Sequence, residues 1–120
     1  MKKVLVIDDE PNITEIINFF ANRLGYSSDA SHNGESALEK VKDEKYCAVM
    51  CDLQLPGITG LEIYDRIKEL NKELARKFIL LTGSLLDERT EASVVQQDIK
   101  VLQKPFYFEG MKKLLAELEV

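Results

Sequence analysis

Asp8-Asp9, Asp52, Thr82 and Lys104 each stand where a short apolar run stops. Val4-Leu5-Val6-Ile7 meets Asp8-Asp9-Glu10, and Val49-Met50-Cys51 meets Asp52. Phe78-Ile79-Leu80-Leu81 meets Thr82-Gly83-Ser84, and the run from Ile99 to Leu102 leads to Lys104. Aspartate is disfavoured in strands and rarely buried without a partner, so an apolar strand that ends on one asks for a chemical reason. Three carboxylates close together repel, and each holds its proton harder unless a counter-charge is near. A divalent cation with oxygen ligands supplies that charge, and Mg2+ is typically held by one or two carboxylates, waters and a phosphate oxygen. No cysteine or second histidine joins the set, which disfavours zinc and copper. A carboxylate can also accept a phosphoryl group as nucleophile, a reaction that depends mainly on positioning and charge neutralisation. Asp52 would then be the nucleophile. The metal and Lys104 would supply positive charge, the Thr82 hydroxyl would donate to a phosphoryl oxygen, and Gly83 would keep the approach open.

Taken singly, each residue has a plainer reading. Asp8-Asp9 would cap the helix that follows, where acids complement the dipole. Asp52 would cap the next helix, Thr82 would be a turn residue, and Lys104 would be a solvated lysine. None of these readings predicts that all of them fall at successive strand ends.

The elements that position these residues alternate along the chain. Val4 to Ile7, Tyr26 to Ala30, Tyr46 to Cys51, Phe78 to Leu81 and Ile99 to Leu102 read as strands. The second is weak and polar enough for an edge, and it ends on nothing comparable to the other four. Between the strands, apolar residues recur at helical spacing. The first helix carries Ile13, Ile16, Ile17, Phe20 and Leu24, with Pro11 in its first turn and Gly25 closing it. The second starts at Asn33-Gly34 and carries Ala37, Leu38 and Val41. The third, after Leu55-Pro56-Gly57, carries Leu61, Tyr64, Ile67 and either Leu70 or Leu74. Asp87 to Gln97 reads as a helix with a weak apolar face of Ala92, Val95 and Val94, and the last helix carries Met111, Leu114, Leu115 and Leu118. Five such strand–helix alternations predict a parallel sheet covered by helices on both faces, an α/β fold. Ligands of such sheets bind beyond the carboxyl ends of the strands, where the conspicuous residues lie.

The chain of 120 residues suits one domain, spanning 1–120. Its composition, 45% hydrophobic and 31% charged, is that of an ordinary globular protein. A net charge of −5 argues against direct nucleic-acid binding. No apolar run approaches the length needed to span a bilayer, and Val4–Ile7 is too short for a signal peptide, so no membrane association and a cytoplasmic location are expected. Cys47 and Cys51 would lie on one face of a strand, about 13 Å apart, too far for a disulfide. They read as small buried residues. His32, the one histidine, is distant in sequence from both.

Together these residues resemble the receiver domain of bacterial two-component response regulators. The resemblance is carried by Asp8-Asp9, by Asp52 followed by Leu55-Pro56 and Gly60, by Thr82-Gly83 and by Lys104-Pro105-Phe106, in that order along nearly the whole chain. It implies a flavodoxin-like (βα)5 fold with strand order 2-1-3-4-5. It implies that Asp52 takes a phosphoryl group from a phosphohistidine of a sensor histidine kinase. It also implies Mg2+ bound directly by Asp9, mainly through water by Asp8, and further by Asp52 and the backbone carbonyl of Gln54. Thr82 and Lys104 would hold the phosphoryl oxygens, and the Lys104-Pro105 peptide would be cis. Such a domain is a switch rather than an enzyme, catalysing only its own phosphorylation and slow autodephosphorylation. Its state would change binding to a downstream target or output domain, or drive a phosphorylation-dependent homodimer. Val120 directly follows the last helix, which leaves a stand-alone receiver and part of a longer regulator both open.

The chain departs from the family pattern in two places. Val101 stands where members carry the aromatic residue that moves with the threonine, and Gln97-Asp98 replaces a small Gly-Ala pair. Gln54 and Ser84 occupy positions that tune dephosphorylation. Three rival readings remain. A haloacid-dehalogenase-type phosphatase would carry a second acid two residues after its nucleophile, where this chain has Gln54. A flavodoxin-like cofactor binder would put phosphate on the first strand-to-helix turn, where Asp8-Asp9-Glu10 would repel it. A pseudo-receiver would act as an interaction module without phosphorylation.

Overall fold

The computed structural model describes residues 2–120. In chain order its elements are β1 (Lys3–Ile7), α1 (Pro11–Arg23), β2 (Ser27–Ser31), α2 (Gly34–Asp43), β3 (Ala48–Asp52), β4 (Gln54–Leu55), β5 (Ile58–Thr59), α3 (Gly60–Leu70), α4 (Lys72–Ala75), β6 (Phe78–Thr82), α5 (Glu88–Gln96), β7 (Lys100–Gln103) and α6 (Phe108–Glu117). The long strands form one five-stranded sheet of order β2-β1-β3-β6-β7 with every pairing parallel. Counting those strands alone, this is the expected 2-1-3-4-5 order, with the polar β2 at an edge.

Strand alternation divides the apolar residues between two layers. Leu5, Ile7, Val49, Cys51, Phe78 and Leu80 face one way, onto Ala37 and Val41 of α2, Ile63, Tyr64 and Ile67 of α3, and Val94 of α5. Val4, Val6, Ala48, Met50, Ile79 and Leu81 face the other way, onto Ile17 and Ala21 of α1 and Met111 and Leu115 of α6. β1, β3 and β6 are therefore covered on both sides, as their unbroken apolar runs require.

Several expectations need correction. α5 buries Val94, while Val95 is 73% exposed and Ala92 also faces solvent. The helix is short and polar, so periodicity alone did not choose its inner face. In α3, Ile63 takes a core position and Leu70 is exposed, because the helix ends at Leu70 and the core is filled instead by Leu74 of the separate turn α4. Cys47 and Cys51 do not share a face: Cys51 packs with Leu5 and Ile7, whereas Cys47 packs against the layer of Ala48 and Met50. β3 starts at Ala48, so the strict alternation does not reach back to Cys47. Both thiols are free.

The hairpin β4–β5 was not anticipated. It turns on Pro56-Gly57, with Gly57 at φ 78°, the conformation that a Pro-Gly turn reserves for glycine. The hairpin delivers the chain to Gly60, whose amide donates to the Leu53 carbonyl at 2.8 Å. A Cβ on Gly60 would come within 2.5 Å of the Asp52 carbonyl oxygen and 3.0 Å of Leu53 Cα. Only glycine lets α3 start this close to the end of β3.

Candidate functional site

The register of the sheet brings the strand ends together. Asp8 is the first residue past the ladders of β1, whose Ile7 pairs with Ser31 on one side and Cys51 on the other. Asp52 pairs with Leu81, and Thr82 pairs with Gln103. The Lys104 amide then donates to the Thr82 carbonyl at 2.6 Å, which sets the lysine at the same rim. The Lys104-Pro105 peptide is cis.

Lys104 Nζ lies 3.0 Å from Asp8 Oδ2 and 3.4 Å from Asp52 Oδ2. Asp8, Asp52 and Thr82 are all buried. Asp8 Oδ1 accepts the Glu10 amide at 2.9 Å, and Asp52 Oδ1 accepts the Gln54 amide at 3.2 Å. Asp8 Oδ2, by contrast, has no hydrogen-bond partner of good geometry and faces only the Lys104 ammonium. Thr82 Oγ1 donates to the Ser84 carbonyl at 2.9 Å and accepts the Ser84 amide at 3.3 Å.

Three of the plainer readings fail on this geometry. The first residue before α1 is Glu10, which makes no side-chain cap, and α3 is capped by Thr59 rather than Asp52. Lys104 keeps only 17% of its side-chain exposure. Thr82 does close a local turn, and that turn occupies its hydroxyl.

The charges act on one another through this burial. Burial pushes the Asp52 carboxyl above its ordinary value, and the charge of Asp8 pushes the same way. The Gln54 amide and Lys104 pull it back without cancelling the shift. For Lys104 the largest effect is burial, which favours the neutral amine. Asp8 and Asp52 together outweigh it and leave the ammonium more firmly protonated than usual.

Asp8, Asp9 and Glu10 each offer a carboxylate oxygen, and the three lie within 4.8 Å of one another. An all-oxygen acidic set suits a hard cation such as Mg2+, and the buried Asp8 Oδ2 is an acceptor that only positive charge meets. The residues present fit the ion. Asp9 and Glu10 are exposed and accessible to it. Glu10 was not among the expected ligands. Asp52 meets the acidic group through Lys104, and Gln54 faces Asp52 through its amide.

Reading strand ends also missed His32. β2 runs one residue further than expected, to Ser31, and the next side chain reaches the site. His32 Nδ1 lies 2.9 Å from the Asp8 carbonyl oxygen. Since a carbonyl only accepts, the ring nitrogen is the donor.

A model of the response regulator receiver domain matches residues 4–116. The chain belongs to the response regulator receiver family. Sporulation initiation phosphotransferase F of Bacillus subtilis is 32% identical over 95% of this chain and 94% of its own length. The response regulator TrrA of Thermotoga maritima, solved with Mg2+ and BeF, is 34% identical with a TM-score of 0.84, covering 98% of this chain and 99% of that one. TrrA in complex with the histidine kinase ThkA matches at 36% identity and a TM-score of 0.84, covering 100% of both chains. Length varies among the relatives. The receiver chain spans 95% of the receiver protein CpdR of Brucella abortus, but only 32% to 48% of four transcriptional regulatory proteins. Receiver domains are signalling domains that bind Mg2+ at an acidic pocket, and no helix among the described residues is long and apolar enough to cross a membrane.

Val101 is partly buried against the layer under α5, and a cleft of about 290 Å3 lies between it, Thr82, Ser84 and Leu86. Gln97-Asp98 ends α5 with Asp98 at φ 55°. The Asp98 amide bonds the Val95 carbonyl and the Ile99 amide bonds the Val94 carbonyl, a Schellman ending that also buries Ile99.

Proposed function

We propose that this domain is a phosphoacceptor switch in which Asp52 takes a phosphoryl group from the phosphohistidine of a sensor histidine kinase, in the cytoplasm. The single observation that carries the reading is the buried cluster in which Lys104 Nζ faces both Asp8 and Asp52 at the carboxyl rim of the sheet. An Asp52 carboxylate oxygen attacks phosphorus, and the phosphorus–nitrogen bond of the donor breaks. The imidazole leaves with the bonding electron pair. Lys104 draws a phosphoryl oxygen as the charge on Asp52 is used in bond formation. The Thr82 hydroxyl exchanges the Ser84 carbonyl for another phosphoryl oxygen. Bound Mg2+ supplies positive charge to the transferring group's oxygens, and Asp8, Asp9, Asp52 and the Gln54 carbonyl would hold it, with Glu10 beside them. Hydrolysis of the acyl phosphate by water, releasing phosphate, resets the switch, and Gln54 and Ser84 stand beside the site where they would tune its rate. The phosphorylated state changes binding to a downstream target or output domain, or to a second copy.

The test is incubation with acetyl phosphate and Mg2+ followed by intact-mass measurement. Attack by Asp52 releases acetate, so the protein should gain one phosphoryl group. The gain should vanish in Asp52→Asn and on chelation of the metal. No gain in protein shown to be folded would sink the reading and leave an interaction module that phosphorylation does not regulate.

A further inference from the structure

His32 lies outside the proposed phosphoryl machinery, yet its ring bonds directly to the backbone of Asp8 within it. Asp8 is the first residue beyond β1, and two contacts from the end of β2 hold its peptide groups, the first of them the last hydrogen bond of the β1–β2 ladder. The Asp8 amide donates to the Ser31 carbonyl at 3.0 Å, and the Asp8 carbonyl accepts from His32 Nδ1 at 2.9 Å. The second contact fixes a whole peptide plane, because the Asp8 carbonyl and the Asp9 amide are rigidly coplanar. The direction in which Asp9 leaves the strand is therefore set by an imidazole on another element. The Asp8 carboxylate itself is fully buried, with Oδ1 on the Glu10 amide and Oδ2 against Lys104, so it sits on the backbone that this anchor holds.

We infer that His32 is a positioning residue for Mg2+ at this site: its Nδ1–H bond to the Asp8 carbonyl orients the Asp8–Asp9 peptide and so presents both carboxylates to the ion. The carbonyl can only accept, so the ring carries a proton on Nδ1 in this contact. The role is that of an outer partner orienting acidic ligands, a position where losses of metal affinity of about 10-fold or more are typical. The inference rests on the proposed function.

Mg2+ alone is titrated calorimetrically into the unaltered protein, His32→Ala and His32→Gln. The rate of phosphorylation by acetyl phosphate is measured against Mg2+ concentration for the same proteins. His32→Ala should weaken Mg2+ binding about 10-fold, while its rate at saturating Mg2+ stays near that of the unaltered protein. His32→Gln, which keeps a donor, should recover part of the affinity. A residue that merely supported the fold would lower the maximal rate and the melting midpoint together. Mg2+ affinity in His32→Ala within twofold of the unaltered protein overturns the inference and leaves the phosphoacceptor reading standing. If His32→Ala does not fold, His32→Leu, which keeps the bulk and removes the donor, takes its place: weakened Mg2+ affinity supports the role and affinity within twofold of the unaltered protein overturns it. Failure of the unaltered protein to bind Mg2+ or accept a phosphoryl group overturns both.

Discussion

The surroundings of Asp52 oppose its ionisation. Burial, reinforced by Asp8, raises its carboxyl pKa, and the Gln54 amide and Lys104 offset this only in part. The folded protein therefore favours the protonated carboxyl. Relative to the unfolded chain, that preference is fully present below the unfolded value of about 3.9 and is lost as pH rises through the raised folded value. At neutral pH the ionised Asp52 is a net burden on the metal-free fold. Asp52→Asn should raise the melting midpoint in chelator at pH 7, and the advantage should shrink toward pH 3, where both side chains are neutral. A lower melting midpoint than the unaltered protein at pH 7 would contradict this account. Asp52 and Thr82 stand out in the sequence because each ends an apolar run, and Lys104 because it follows the last strand and precedes Pro105. His32 does not, because β2 is polar along its length and its end leaves no break in hydrophobicity.

The helices show where periodicity carries information and where it does not. α1, α2 and α6 have enough apolar residues for the stripe to name the buried face, and Ile17, Ala37, Met111 and Leu115 lie where it puts them, although Ile16, on the expected stripe of α1, is 44% exposed. α5 has adjacent valines, Val94 and Val95, and either could have faced inward. The Schellman ending decides between them, because it folds Ile99 back against Val94 on the way into β7. Val94→Ala should cost about 2 kcal/mol by opening space beside Ile99, whereas Val95→Ala should stay within about 0.5 kcal/mol. Urea unfolding of the two variants checks this, and equal losses would mean the face is wrongly assigned. The hairpin β4–β5 was invisible for another reason. Each of its strands is two residues long, too short for any alternation to register, and its position depends on the close approach of Gly60 to β3.

For the domain as a unit, the net charge of −5 is partly concentrated at one rim, so a cation bound there should stabilise the native state over the unfolded chain. Linkage sets the size: a ligand at about 100 times its dissociation constant adds about 2.7 kcal/mol. Added Mg2+ should raise the melting midpoint, a chelator should reverse the rise, and Asp9→Asn should blunt it. A midpoint insensitive to Mg2+ in the unaltered protein would count against the acidic rim as its site. The ion and the phosphoryl group would act on the same carboxylates, which couples stability to signalling state.

Local residue order determined the strand–helix alternation, the class of fold and the four strand ends that carry acids, a hydroxyl and an ammonium, because hydrophobic period and its interruptions are properties of neighbouring residues. Distance between strand ends is not such a property. Only the assembled sheet placed Lys104 against Asp8 as well as Asp52, left Asp8 Oδ2 buried with no other partner, swung Cys47 away from Cys51 and brought His32 to the Asp8 backbone. Those contacts join residues far apart in the chain, and they arise from parallel register and from where each strand stops.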